Sequence, residues 1–345
     1  MVARSNPMFD KFHEECGVVA IYGHPEAAKL AYLGLYALQH RGQESAGICT
    51  TDGARIYSHK SMGHVADIFT SPVLATLPGE LAIGHTRYST AGDTVLLNAQ
   101  PFSVACNKGR VAVAHNGNIT NATELRADLE RRGAIFQASS DTEVILHLVA
   151  HSSERTLAGA LRDALLQLEG AFSLVFLAQD RVIVARDPYG FRPLAVGEME
   201  ISGGRKVYAF ASETCAFDLL GAVYLNEVEP GEMIIVGPEG ITRERYTPER
   251  PRAQCVSSTC TSRGPIPWFS AGRWRNRART SAGCWRASAP PMPTWWFRFP
   301  IPEWRLLSAT RPNRGFPTAK RSSATTTWAA RLSSLPRPSA ILESS

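Results

Sequence analysis

The chain has 345 residues, 44% of them hydrophobic and 20% charged, which gives room for two domains around a large buried core and suits a globular protein. It holds no run of about 18 apolar residues, so no membrane span is expected, and residues 1–15 lack the apolar core of a secretory signal, so a cytoplasmic location is expected. The net charge of +6 is uneven: thirteen Arg and one Lys against two Glu make residues 256–345 net +12, leaving residues 1–255 at −6, so a nucleic-acid reading would rest on the tail alone.

In chain order, residues 16–22 (CGVVAIY) read as a buried strand. Residues 26–39 follow as a helix, with Leu30, Leu33, Tyr36 and Ala37 as its apolar positions. Short strands are predicted at 46–50 and 54–58, and core strands ending in polar turns at 81–86 and 111–115. Three helices come next, at 121–132, 142–151 and 156–168. The second has Ser139, Ser140 and Asp141 before it and Glu143 just inside, an N-terminal signal. Strands at 172–178, 182–186, 206–210 and 232–236 complete the pattern. Strands, then helices, then strands predict an α+β sandwich with helices outside two sheets.

After Cys255 the order disappears. All seven Trp and eleven of the 22 Pro lie beyond it, and the last Asp of the chain is Asp218. A solvated tail is poor in Trp, because Trp drives burial, and a folded domain needs a period to bury its core; residues 256–345 fit neither description. The seven cysteines (Cys16, Cys49, Cys106, Cys215, Cys255, Cys260 and Cys284) are odd in number and irregular in spacing. Reduced thiols are therefore expected, and with no C-x-x-C pair no self-contained zinc site.

Three motifs point to chemistry: Cys16-Gly17 opening a strand, the stretch GHTRYST at 84–90, and HNGNI at 115–119. Each has a plainer reading alone. A buried Cys is more often a small hydrophobe, Asn-Gly a turn, a post-strand Arg a surface ion pair, and Asp141 a helix-terminus residue. Together they describe one pocket. A thiol nucleophile needs a base and donors for a developing oxyanion. Asn116 and Gly117 can supply an amide and a backbone N–H to one oxygen, Arg87 can grip a carboxylate through two parallel hydrogen bonds, and Asp141 can accept from an ammonium. The set suits an α-amino acid whose side-chain carbonyl meets Cys16. The base stays open between His85, His115 and an α-amine freed by cleavage before Cys16, whose reference pKa is about 8.

CGVVAIYG, LQHRGQESAGI, GHTRYSTAG, AHNGNI, SSDTE and DPYGFRPL together resemble the glutamine phosphoribosylpyrophosphate amidotransferases, from about residue 10 to residue 255. The resemblance implies a four-layer αββα sandwich of the N-terminal-nucleophile hydrolase type, a propeptide at 1–15 and a glutamine amidotransferase domain at 16–255. By motif it makes Cys16 the nucleophile with its own α-amine as base, and Asn116 and Gly117 the oxyanion hole. Arg87 would hold the glutamine α-carboxylate and Asp141 the α-ammonium, with Thr90 at the same end. Tyr88 resembles the start of a loop that orders over the substrate, and Arg41 looks structural or part of signalling between sites.

The same resemblance implies a second domain, binding phosphoribosyl pyrophosphate through paired acids at a strand end and a small-residue phosphate loop. No Asp follows Asp218, so neither that ligand nor its Mg2+ is expected to bind within these residues. Arg263 to Pro267 read Arg-Gly-Pro-Ile-Pro, the product of TCG CGG CCC GAT TCC, codons for the family's Ser-Arg-Pro-Asp-Ser, read one base late. A frameshifted translation from about Val256, giving an irregular tail, is therefore expected; the alternative is an inactive product or a basic nucleic-acid-binding arm. Cys255 resembles the first of four thiolate ligands to a 4Fe–4S cluster, but Cys260 and Cys284 fall at the wrong spacing, so no cofactor is expected here. Self-association into a homo-oligomer is left open.

Overall fold

The computed structural model describes residues 16–88 and 95–253. The leader 1–15, Thr90, Cys255 and the tail 256–345 fall outside the described residues. The elements are β1 (Gly17–Tyr22), α1 (Ala27–Ala37), β2 (Ser45–Thr51), β3 (Ile56–Met62), α2 (Val65–Ile68), α3 (Ser71–Ala75), β4 (Leu81–Arg87), β5 (Phe102–Cys106) and β6 (Gly109–Ile119). Then come α4 (Ala122–Arg131), α5 (Thr142–His151), α6 (Leu157–Gln167), β7 (Gly170–Leu177), β8 (Val182–Arg186), β9 (Ala195–Ile201), β10 (Arg205–Ala211), α7 (Cys215–Leu220), β11 (Val223–Glu227), β12 (Glu232–Gly237) and β13 (Gly240–Arg245).

The strands form two antiparallel sheets, one of seven in the order β11-β9-β10-β1-β4-β2-β3 and one of six in the order β13-β12-β8-β7-β6-β5. Alternate residues of each central strand serve different cores, because side chains alternate across a sheet. In β1, Val19 and Ile21 pack under Ala31 and Leu35 of α1, while Val18 and Ala20 point to the second sheet. In β6, Val111 and Val113 pack with Ile145 and Leu148 of α5, while Ala112 and Ala114 join Val18, Ile83 and Val175 between the sheets. Three apolar layers thus separate four layers of backbone, and the αββα sandwich expected from the resemblance is what the chain forms. Burial on both faces is why β1, β7 and β8 read as unbroken apolar runs. Among the described residues no helix is long and apolar enough to cross a membrane.

Two local readings change. The HNGNI stretch, expected as a turn at a strand end, is strand: Asn116 pairs with Ser173, Gly117 with Phe172 and Asn118 with Ala171. Gly117 has φ +146, and a Cβ there would lie 2.0 Å from the Ala171 carbonyl oxygen, so glycine is what lets the ladder continue. Asp141 precedes α5 as expected but its side chain does not cap it; Glu143 instead accepts from the N–H groups of Gln137 and Ala138, at 2.9 and 2.7 Å.

Candidate active site

Cys16 stands immediately before β1, buried, with φ +48, an uncommon backbone for a residue with a side chain. Its thiol meets the backbone of Tyr88, 3.4 Å from the carbonyl oxygen and 3.5 Å from the nitrogen. Burial pushes the thiol up to about 11, against the opposing pull of the Tyr88 backbone, Arg87 and Arg41. Such a thiol is almost wholly protonated at neutral pH and needs a base to react.

The sheet register delivers the neighbours. Gly17 pairs with Thr86, and Ser45 of β2 with Arg87, so the buried Arg87 guanidinium enters at the Cys16 end of the sheet. Its backbone is crowded by the β2 approach: a Cβ on Gly42 would lie 2.7 Å from the Arg87 carbonyl carbon. Arg41, with no exposed surface, donates from Nε to the Cys16 carbonyl at 2.7 Å and pairs with the Glu213 carboxylate. The structural reading of Arg41 thus takes a specific form: it grips the Cys16 backbone.

Asn116 comes from the facing sheet, on the β6 parity that points between the sheets, and is fully buried. Its amide nitrogen lies 3.3 Å from the Ser212 hydroxyl, which also accepts from the Val18 N–H at 3.0 Å. Ser212 therefore ties the Asn116 strand to β1, two residues from Cys16. Gly117 follows in β6 with its N–H on the adjacent peptide. Asp141 Oδ2 accepts from the Ile119 N–H at 3.0 Å, and Thr142 Oγ1 lies 3.3 Å from Oδ1. Burial raises this carboxyl, but the His115 ring and these donors outweigh it and hold it at about 2. Asp141 also acts electrostatically on the Cys16 thiol. Cys16, Arg87, Asn116, Gly117 and Asp141, scattered over 126 positions of sequence, thus meet at one end of the two sheets.

The two histidines sit beside this group. Burial lowers His85 to about 3. Its Nε2 lies 3.0 Å from the His115 carbonyl, to which it must donate. His115 Nδ1 faces Thr142 Oγ1 at 3.1 Å, and the His115 backbone N–H donates to Gln100 Oε1 at 2.7 Å, while His85 Nδ1 and His115 Nε2 are buried without a hydrogen-bond partner among the described residues. Neither imidazole is a hydrogen-bond partner of Cys16 Sγ. Among the described residues no three His, Cys, Asp or Glu side chains gather as a metal site would require.

The DPYGFRPL motif supports the site from behind. Asp187 accepts from the N–H groups of Tyr189, Phe191 and Arg192 at 3.0, 3.1 and 3.1 Å. Its own N–H donates at 2.9 Å to the carbonyl of Phe172, the residue opposite Gly117. Sequence reasoning missed Ser212, Glu213 and Gln100, which have no signature beyond being polar residues in or beside apolar strands.

Residues 85–218 match a family model described as a glutamine amidotransferase domain. The chain is 49% identical over 258 residues to amidophosphoribosyltransferase 2, chloroplastic, of Arabidopsis thaliana, covering 74% of this chain and 45% of that protein. It is 47% identical to amidophosphoribosyltransferase of Bacillus subtilis over 70% of this chain and 50% of that protein. The solved glutamine phosphoribosylpyrophosphate amidotransferase of B. subtilis, complexed with ADP and GMP, superposes with a TM-score of 0.67 at 44% identity, over 72% of this chain and 53% of that one. The chain spans about half the length of the relatives it matches. By these matches residues 85–218 resemble a glutamine amidotransferase domain, and the sandwich that contains them is similar in sequence and fold to about half of each amidophosphoribosyltransferase it matches.

Proposed function

We propose that this chain hydrolyses the side-chain amide of glutamine through a covalent thioester on Cys16, as the ammonia-supplying half of an amidophosphoribosyltransferase reaction of purine synthesis. The observation that carries this is the convergence of Cys16, Arg87, Asn116, Gly117 and Asp141 around one buried thiol. Arg87 binds the glutamine α-carboxylate and Asp141, held ionised, its α-ammonium, with Thr90 at the same end. The Cys16 sulfur then attacks the δ-carbonyl carbon, and the oxyanion takes hydrogen bonds from the Asn116 amide and the Gly117 N–H. Collapse expels ammonia and leaves the thioester, which water cleaves to glutamate.

The base in this reading is the α-amine of Cys16 itself, exposed by hydrolysis of the bond before it. Three observations support that choice. The thiol is too weakly acidic to ionise unaided, neither neighbouring imidazole is hydrogen-bonded to it, and a terminal amine has a reference pKa of about 8, near the pH at which it must work. Transfer of the ammonia to phosphoribosyl pyrophosphate is not expected within these 345 residues, which hold no Asp beyond Asp218 for the paired acids of that site. The segment from about Val256 reads instead as a frameshifted translation, which sequencing the gene in its other frames tests directly.

The deciding experiment is mass spectrometry of the purified chain combined with a diazoketone analogue of glutamine. Chains beginning at Cys16, labelled once on that residue and protected by glutamine, are expected. A chain that begins at Cys16 yet neither labels nor releases ammonia would refute the reading. Consumption of glutamine that depends on phosphoribosyl pyrophosphate would refute the restriction to hydrolysis.

A further inference from the structure

The turn between β10 and α7 holds two adjacent residues, Ser212 and Glu213, that touch no substrate group in the reaction above, yet each holds one half of the site. The buried Ser212 Oγ accepts from the Val18 N–H, so its own hydrogen remains to be donated. With Asn116 Nδ2 facing Ser212, that hydrogen has no use and Asn116 Oδ1 is buried without a partner. Turning the amide by half a rotation puts Oδ1 against the hydroxyl and satisfies both groups. It also leaves both Nδ2 hydrogens for an oxyanion, which is the polarity the oxyanion hole needs.

Glu213 organises the other half. One carboxylate oxygen pairs with Arg41 Nη1, and the other lies 3.1 Å from His40 Nε2. The guanidinium is planar, so fixing Nη1 fixes the direction of Nε, and Nε is the atom that donates to the Cys16 carbonyl. His40 is itself anchored, with Nδ1 3.1 Å from the Ala37 carbonyl. Both ring nitrogens thus face acceptors, and the imidazolium form satisfies both.

We propose that Ser212 and Glu213 are paired positioning residues for the Cys16 reaction, Ser212 turning the Asn116 amide toward the oxyanion and Glu213, through Arg41, fixing the backbone that aims the sulfur. The inference rests on the reading of Cys16 as a glutamine nucleophile.

The test compares the full chain with Ser212→Ala, Glu213→Gln and His40→Gln, the last a half-exposed residue whose loss loosens Glu213 without opening the core. Steady-state constants for glutamine are normalised to the fraction of chains beginning at Cys16, and the alkylation rate of Cys16 by iodoacetamide is read by mass spectrometry. A fall in kcat of about 100-fold for the first two variants and about tenfold for the third is expected, with KM held within about threefold. Cys16 is expected to alkylate about tenfold faster in all three, because each loosens the start of β1. Unchanged kcat per exposed Cys16, or KM rising in step with the fall in kcat, overturns the proposal. Absence of glutamine turnover in the unmodified chain counts against the functional reading, and the alkylation rates then decide this one: acceleration supports the tether and equal rates overturn it.

Discussion

Replacing Gly117 by Ala isolates what β6 requires at this position. The added Cβ would sit 2.0 Å from the Ala171 carbonyl oxygen and 2.8 Å from the Phe172 Cα, both backbone atoms, at φ +146. No side chain can turn away to relieve the contact, so β6 and β7 must separate or the peptide must rotate. Overpacking of this kind costs about 1–3 kcal/mol, and holding a side chain in a glycine-only region adds about 1–3 kcal/mol. A total near 4 kcal/mol corresponds to a fall of about 8–16 °C in Tm for a domain of this size. Rotating the peptide also moves the Gly117 N–H, and loss of one oxyanion donor costs about 100- to 1,000-fold in kcat. Gly133 supplies the control. It has φ +91 just after α4, and a Cβ there meets nothing within 4 Å, so Gly133→Ala should cost about 1–2 kcal/mol from its backbone alone, without the clash, and leave activity intact. Urea denaturation and glutaminase assays on both variants check the argument. Equal destabilisation of the two, or a Gly117→Ala chain with normal kcat, would show that the close approach of β6 and β7 is not what glycine serves.

Arg41→Met should cost about 1–3 kcal/mol, because it removes one of the two cationic partners of the Glu213 carboxylate and the donor to the Cys16 carbonyl; a loss under about 0.5 kcal/mol in urea titrations would place the pair among weak surface bridges. Stability should fall with acid in two stages. His85 is held at about 3 against an ordinary 6.5, so the fold resists its protonation and loses stability as pH drops below about 6.5. Burial raises the Glu213 carboxyl, but His40 and Arg41 overcome it, and Glu213 and Asp141 both stand at about 2. Their contribution is complete above pH 4.5 and is lost as pH falls toward 2. His85→Gln should reduce the first stage, to which the lowered His24 and His147 also contribute, and a wild-type profile flat from pH 6.5 to 4.5 would contradict the neutral assignment. Asp141→Asn should raise KM for glutamine at least tenfold through loss of the ammonium partner, while a glutamine analogue without the α-amino group is equally affected only if Asp141 serves the fold instead.

The apolar runs of β1, β7 and β8 were legible because burial on two faces writes itself into composition, whereas α1 buries Ala27, Ala28, Ala31, Gly34 and Leu35 rather than the expected stripe of Leu30, Leu33, Tyr36 and Ala37, and leaves Tyr36 exposed. β5, β11 and β13 were not legible. They lie at sheet edges, with most residues exposed in β11 and β13, so no burial pattern marks them and only pairing with a neighbour makes them strands. The same division holds for the site. Cys16, Arg87, Asn116, Gly117 and Asp141 could be named from residue chemistry and motif, since each must present one kind of group to an amino acid. Ser212, Glu213 and the clash that Gly117 avoids could not, because their meaning lies in which distant backbone comes within 3 Å of them. The sequence by itself determined the chemical inventory, a thiol with the polar groups that the proposed glutamine reaction would use. Only the tertiary structure decided that HNGNI is a paired strand rather than a turn, that Arg41 grips the Cys16 carbonyl, and that neither neighbouring imidazole is hydrogen-bonded to the thiol, since hydrogen bonds between distant strands are set by register and not by local pattern.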